Sequence, residues 1–288
     1  GQYGDAEKLA KSITQQFPRH QFAWKVLGAI FGQSGRTVEA ENANQASVAL
    51  SPQDTEAHNN LGGTLQKLGR LDEAEASLRQ AIVLKPDFAE AHYNLGNTLK
   101  ELGRLEAAEV SYKRAIALKP DYAVAHNNLG NTLKELDRLE EAEASLRQSL
   151  ALKPDYAVAH NNLGHTLKDL GRLDEAEASL RQSLALKPDY AEAHNNLGGM
   201  LNELGKLDEA EASLRQSLAL KPDYAEAHYN LGFTLQELGR LDEAEAIYTQ
   251  AIALKPEDFK IHKQLLMCLF KQDKKSVFFD ELDYLINQ

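Results

Sequence analysis

The sequence predicts an all-α chain built as a solenoid of antiparallel helix pairs. Its eight prolines, Pro18, Pro52, Pro86, Pro120, Pro154, Pro188, Pro222 and Pro256, each stand 34 residues from the next. Between them, apolar residues recur at helical spacing in two stripes separated by a turn residue. The composition, 43% hydrophobic and 26% charged, is that of a folded, soluble chain. A fixed period overrides the one or two globular domains that 288 residues would otherwise suggest, because repeats bury their core between neighbours.

Residues 1–20 make a partial unit. Gly1 falls at the turn position, so residues 1–17 form a second helix without its first, with Leu9, Ile13 and Phe17 along one face. The N-terminal boundary thus reads as a cut through a longer array. Seven complete units span 21–258, the first being 21–54 and the last 225–258. In the unit 55–88, Ala57, Leu61, Leu65 and Leu68 form the first helix's apolar stripe, and Gly69 ends that helix. Asp72 and Glu73 open the second helix, where carboxylates suit the positive end of the dipole. Its stripe is Leu71, Ala74, Leu78, Ala81 and Ile82, with Glu75 and Arg79 paired four apart outside. Pro86 then stops it.

Asp137 stands where the other turns carry Gly69, Gly103, Gly171, Gly205 and Gly239. A left-handed backbone there would cost it under about 1–2 kcal/mol. Residues 259–288 keep the two-helix rhythm but lose the repeat's sequence, as a capping unit does. Phe278, Phe279, Leu282 and Leu285 are expected to pack back, with Lys274, Lys275 and Asp280 facing water.

The net charge of −11 disfavours nucleic acid, whose phosphates need a surplus of Lys and Arg, and an anionic membrane for the same reason. The LLMCLF run from Leu265 to Phe270 is far too short to span a bilayer. Cys268 is the single cysteine, so no internal disulfide forms and the redox compartment stays open, with a cytoplasmic setting favoured.

A 34-residue helix–turn–helix unit of this pattern resembles the tetratricopeptide repeat. The family positions Trp, Leu-Gly, Tyr, Ala, Phe and Pro fall on Trp24, Leu27-Gly28, Phe31, Ala40, Asn44 and Pro52, then on His58, Leu61-Gly62, Leu65, Ala74, Leu78 and Pro86. The departures, His for Trp and Leu for Tyr and Phe, alter core packing rather than architecture. The resemblance covers essentially the whole chain. It implies a right-handed superhelix whose first helices line a concave groove, and a scaffold or adaptor that binds protein or peptide.

On the first helix, the face opposite the apolar stripe is polar, and one column of it is uniform: Asn60, Asn94, Asn128, Asn162, Asn196 and Asn230. Asparagine both donates and accepts, so a rank at repeat spacing suits the amides of an extended peptide. The column resembles the asparagine ladder in the repeat domain of O-linked N-acetylglucosamine transferases, which clamps peptide backbone. The alternatives are solvated residues copied by duplication, or bonds to the neighbouring helix. Asn97, Asn131 and His165 lie one turn further along, Lys100, Lys134 and Lys168 edge the groove, and Tyr93 and Tyr229 offer stacking surfaces. With Val124 and Val158 replacing flanking glutamates, the centre is less acidic, which favours an acidic or mixed peptide segment there. The carboxylate-clamp relatives need basic residues that are missing at the matching positions.

Seven histidines, from His58 to His262, share the period. Metal ligands must converge on one ion, whereas equivalent helices stand at least about 8–10 Å apart, so a packing role is expected and no metal. Gly199 to Lys206 mimics a phosphate loop with wrong spacing and Leu207 in place of Ser or Thr. Ser77, Ser145, Ser179 and Ser213 recur without a periodic base. Because catalysis needs a unique constellation, neither enzyme activity nor a cofactor is expected. Two rival readings remain open: the recognition arm of a larger glycosyltransferase- or sulfotransferase-type enzyme, and self-association through the apolar face of the N-terminal half-unit.

Overall fold

A computed structural model describes residues 2–286, with the side chains of 2, 3, 284 and 286 left aside; the turn expected at Gly1 lies outside the described residues. Among the described residues every regular element is a helix, and the chain divides into two compact units, one up to Leu152 and one from Lys153. In the first, α1 (Gln2–Gln16) is followed by the pairs α2 (Gln21–Gln33) with α3 (Thr37–Leu50), α4 (Thr55–Lys67) with α5 (Leu71–Leu84), α6 (Ala89–Glu101) with α7 (Leu105–Leu118), and α8 (Ala123–Glu135) with α9 (Leu139–Leu152). The second pairs α10 (Ala157–Asp169) with α11 (Leu173–Leu186), α12 (Ala191–Glu203) with α13 (Leu207–Leu220), α14 (Ala225–Glu237) with α15 (Leu241–Leu254), and α16 (Phe259–Lys271) with α17 (Lys275–Ile286).

Small residues set the pair geometry. A Cβ on Gly96 would lie 2.6 Å from the Tyr112 ring, and one on Gly130 would lie 2.6 Å from Leu146 Cγ. Each glycine is therefore the seat of a fully buried side chain from the partner helix. Alanines close the remaining contacts: Ala57, Ala91 and Ala125 on first helices and Ala74, Ala108 and Ala142 on second helices are all completely buried. At these points the backbones meet with little side chain between them.

Within each unit the first helices also touch one another, α4 with α6 and α12 with α14, whereas among the described residues successive second helices make no close backbone contact. First helices therefore line the inner side of each unit's curve. The second helices are tied instead by ion pairs 29 residues apart. Glu75 accepts from Arg104 at 2.7 Å and Glu109 from Arg138 at 2.7 Å in the first unit; Glu177 accepts from Lys206 at 2.9 Å and Glu211 from Arg240 at 2.6 Å in the second. The Glu75–Arg79 pair forms as the spacing suggests, but the same carboxylate also serves the next repeat.

The turns hold six glycines at φ between +69° and +75°, and Asp137 adopts φ +59° in the same place. Asp273 does likewise at +57°, so the degenerate last unit keeps the turn geometry without the glycine.

The two ends depart in part from expectation. In α1 the buried residues are Ala10 and Thr14, while Leu9 is 63% and Phe17 61% exposed. In α17 Phe278 packs on the core beside Leu265 and Leu269, but Phe279 is 58% exposed. The expectation that Phe279 packs back is thus corrected: it lies on the outer side of the last described helix. Lys274 does not simply face water either, since its Nζ donates to Asp242 at 3.0 Å and Glu245 at 2.6 Å.

Candidate functional site

The periodic histidines have a structural job. His58 Nε2 lies 3.0 Å from the Pro52 carbonyl, six residues earlier, and the same bond recurs at His92–Pro86, His126–Pro120, His160–Pro154, His194–Pro188, His228–Pro222 and His262–Pro256. A carbonyl only accepts, so Nε2 carries the proton. Trp24 Nε1 makes the identical bond to the Pro18 carbonyl at 2.8 Å. His and Trp are thus two solutions to one problem, a ring N–H that satisfies the carbonyl left open where proline ends a helix. Burial also pushes the His126 ring below its ordinary pKa, which favours the neutral form. The recurrent serines are similarly occupied: Ser77 Oγ donates to the His58 carbonyl at 2.9 Å and Ser145 Oγ to the His126 carbonyl at 2.8 Å.

The asparagine column lies on the inner face of each unit and is half-buried. In the first unit Asn94 Nδ2 donates to Asn59 Oδ1 at 2.9 Å, and Asn128 Nδ2 donates to Asn97 Oδ1 at 2.9 Å and to the Tyr93 hydroxyl at 3.2 Å. In the second unit Asn196 Nδ2 donates to Asn161 Oδ1 and Asn230 Nδ2 to Asn195 Oδ1, both at 2.9 Å. Each side chain is therefore stapled to the preceding repeat through its donor half. The acceptor halves differ. Asn128 Oδ1 accepts from Asn127 Nδ2 at 3.0 Å, whereas the Oδ1 atoms of Asn94, Asn196 and Asn230 accept no hydrogen bond among the described residues. Asn162 is engaged as well, and Asn60 offers its main-chain carbonyl to Thr64 Oγ1 and Asn44 Nδ2.

The neighbouring columns are more committed than their residue types suggest. Asn97 Oδ1 also accepts from the Tyr112 hydroxyl at 2.8 Å. Lys100 pairs with Glu135 at 3.0 Å and Lys168 with Glu203 at 2.9 Å, and Lys134 is engaged too. Carboxylates one repeat on thus offset the positive edge expected to select an acidic peptide segment. The Tyr93 ring packs against Tyr112 and Tyr122 with centroids 6.0 and 5.0 Å apart, and Tyr229 against Tyr248 at 6.4 Å. His165 stands 3.9 Å from Asp169, and Asn131 is half-buried beside the column.

In the second unit a concavity of about 340 Å³ opens on this face, and its lining brings together His165, Lys168, Asn196, Tyr229 and Asn230. Gly199, Asn202 and Phe233 also line it, as do the carboxylates Glu203 and Glu226. Gly199, which heads the phosphate-loop mimic in the sequence, is a residue of α12 in this lining. The signal that would have found it is the column 63, 97, 131, 165, 199 and 233, which reads Gly, Asn, Asn, His, Gly and Phe where the columns starting at 60 and 62 are uniformly Asn and Gly. Among the described residues no helix is long and apolar enough to cross a membrane.

This architecture of stacked 34-residue helix pairs agrees with comparison to known proteins. A profile described as tetratricopeptide repeat matches residues 121–189, 155–223 and 189–257, and one described as TPR repeat matches 65–103 and 96–137. The chain belongs to the tetratricopeptide repeat family, whose members generally serve as protein-interaction scaffolds. No curated protein matches it. Among solved structures it is similar to a chain of the APC/C hetero-tetramer Cut9–Hcn1, with 19% identity and a TM-score of 0.77 over 93% of this chain and 52% of that one. It also resembles pilF of Pseudomonas aeruginosa (21% identity, TM-score 0.64, covering 73% and 95%). YrrB, a TPR protein with an unusual peptide-binding site, gives 24% identity and a TM-score of 0.51, covering 68% and 97%. Such identities establish the fold alone. This chain spans about half of the Cut9–Hcn1 chain that it matches.

Proposed function

We propose that the inner face of each unit binds an extended peptide by its backbone. The carrying observation is the split use of the asparagines: the donor half is fixed to the preceding repeat, and at Asn94, Asn196 and Asn230 the acceptor half is left unused. A pinned acceptor loses little side-chain freedom on binding, so it favours an incoming peptide N–H. Recognition in this reading is spread over repeats, and the polar groups copied along them serve holding rather than turnover. The test replaces Asn94, Asn196 and Asn230 together by Ala and measures affinity for a peptide selected from a displayed random library. With each hydrogen bond contributing about 0.5–1.5 kcal/mol, affinity should fall at least roughly tenfold. Exposed Gln148→Ala and Gln182→Ala on second helices should leave it unchanged. Equal affinity of a folded triple variant contradicts the reading.

A second reading, self-association, draws on the exposed Leu9 of α1 and Phe17 just after it, joined by Phe22 at 61% exposure. Light scattering that finds a strict monomer at high concentration removes it.

A further inference from the structure

Resting on the peptide-groove reading, the geometry points to a specificity pocket at Gly199 that takes one aromatic side chain of the bound peptide. Position 199 is the gap in its column. A Cβ there would meet only Asn230 Nδ2, at 3.6 Å, so the backbone of α12 is bare towards the concavity. His165 stands in the column one repeat before and Phe233 one repeat after, and both line the same hollow together with Tyr229. Leu180, fully buried, also contributes to the lining. An inserted ring would thus meet His165, Tyr229 and Phe233 at edges or faces, where aromatic pairs gain beyond simple area burial.

The polar groups of the pocket are largely spent on each other, which argues against a charged or strongly polar occupant. Asn202 Oδ1 accepts from Thr234 Oγ1 at 2.9 Å, and Asn202 Nδ2 donates to the Asn230 carbonyl at 3.5 Å. Asn230 donates to Asn195, Asn195 to Glu226 at 3.3 Å, and Lys168 pairs with Glu203. A buried charge from the peptide would have to break one of these pairs or remain uncompensated. The volume of about 340 Å³ is at the low end for a ligand pocket and suits a single large side chain. In the first unit Gly63 has Ala29 and Asn97 as its column neighbours, so only Tyr93, at the position of Tyr229, supplies an aromatic ring there.

Gly199→Met tests the pocket. A Cβ at 199 makes only ordinary contact with Asn230, so the longer side chain is directed at the hollow, and replacing a glycine inside a helix favours folding. A displayed library of random dodecapeptides is selected against the intact chain and against Gly199→Met. Peptides from the wild type should share Trp, Tyr or Phe at one position, and replacing that residue by Ala should weaken binding roughly tenfold or more. Against Gly199→Met, peptides should still be captured, with the aromatic preference lost and the Ala substitution nearly without effect. Capture without a preferred aromatic position, or with a preference that survives Gly199→Met, overturns the pocket and leaves the backbone-binding reading standing. Failure of both proteins to capture any peptide overturns the groove reading and the pocket with it.

Discussion

Asn44 stands where the neighbouring repeats place Leu78 or Tyr112, and it is 1% exposed. Its Nδ2 donates to Thr64 Oγ1 at 2.9 Å, but its Oδ1 finds no donor among the described residues. A buried carbonyl without a partner costs more than one good hydrogen bond returns. Asn44→Leu should therefore stabilise the chain by about 1–2 kcal/mol in urea unfolding, and a loss of stability would show that the amide is better satisfied than its geometry indicates. This residue was visible in the sequence as a break in the Phe position, but its energetic sign needed the seat opposite Gly28. The histidines show the same limit. Their period and their place beside the apolar stripe suggested packing, yet a bond to a carbonyl six residues back becomes evident only when Trp24 is seen making it too. Asp137 was the reverse case: the glycine column raised a left-handed backbone as a condition, and its φ of +59° meets that condition.

At the scale of elements, helices and turns were legible because apolar spacing, turn glycines and prolines agree at every repeat. The links between second helices were not. Their partners lie 29 residues apart, and helical-wheel reasoning pairs residues only within one helix. These links make a pH prediction. Lys206, with Arg181, holds the Glu177 carboxyl below the usual carboxylate range, and Lys113, with Arg138, does so for Glu109. A carboxyl depressed in the folded state contributes stability above its unfolded pKa of about 4.3 and loses it as pH falls through the folded value. The thermal midpoint should thus hold steady from neutral pH to roughly 4.5 and then fall. Glu177→Gln should lower the midpoint at neutral pH and make the acid slope shallower. Parallel acid slopes for the two proteins would show that these inter-repeat pairs do not govern the acid response.

At the scale of the molecule, each unit presents a regular inner face, and its regularity was readable as a column of asparagines. What the sequence could not supply was how each amide is divided. The column had two readings, peptide clamp and bond to the neighbouring helix, and the structure gives the amide donor the second role while leaving several oxygens available for the first. The lysines and tyrosines beside them, read as free recognition groups, are largely engaged with the next repeat or the core. Recognition by pinned oxygens, the mode proposed above, demands hydrogen-bond donors on the ligand, and an extended peptide supplies them as its backbone N–H groups. The most direct measurement is calorimetric titration of a selected peptide against a series in which its backbone amides are N-methylated one at a time. Backbone clamping predicts that methylation at positions in register with the asparagines weakens binding about tenfold while other positions stay near the parent affinity. Uniform tolerance of N-methylation along the bound segment would contradict it.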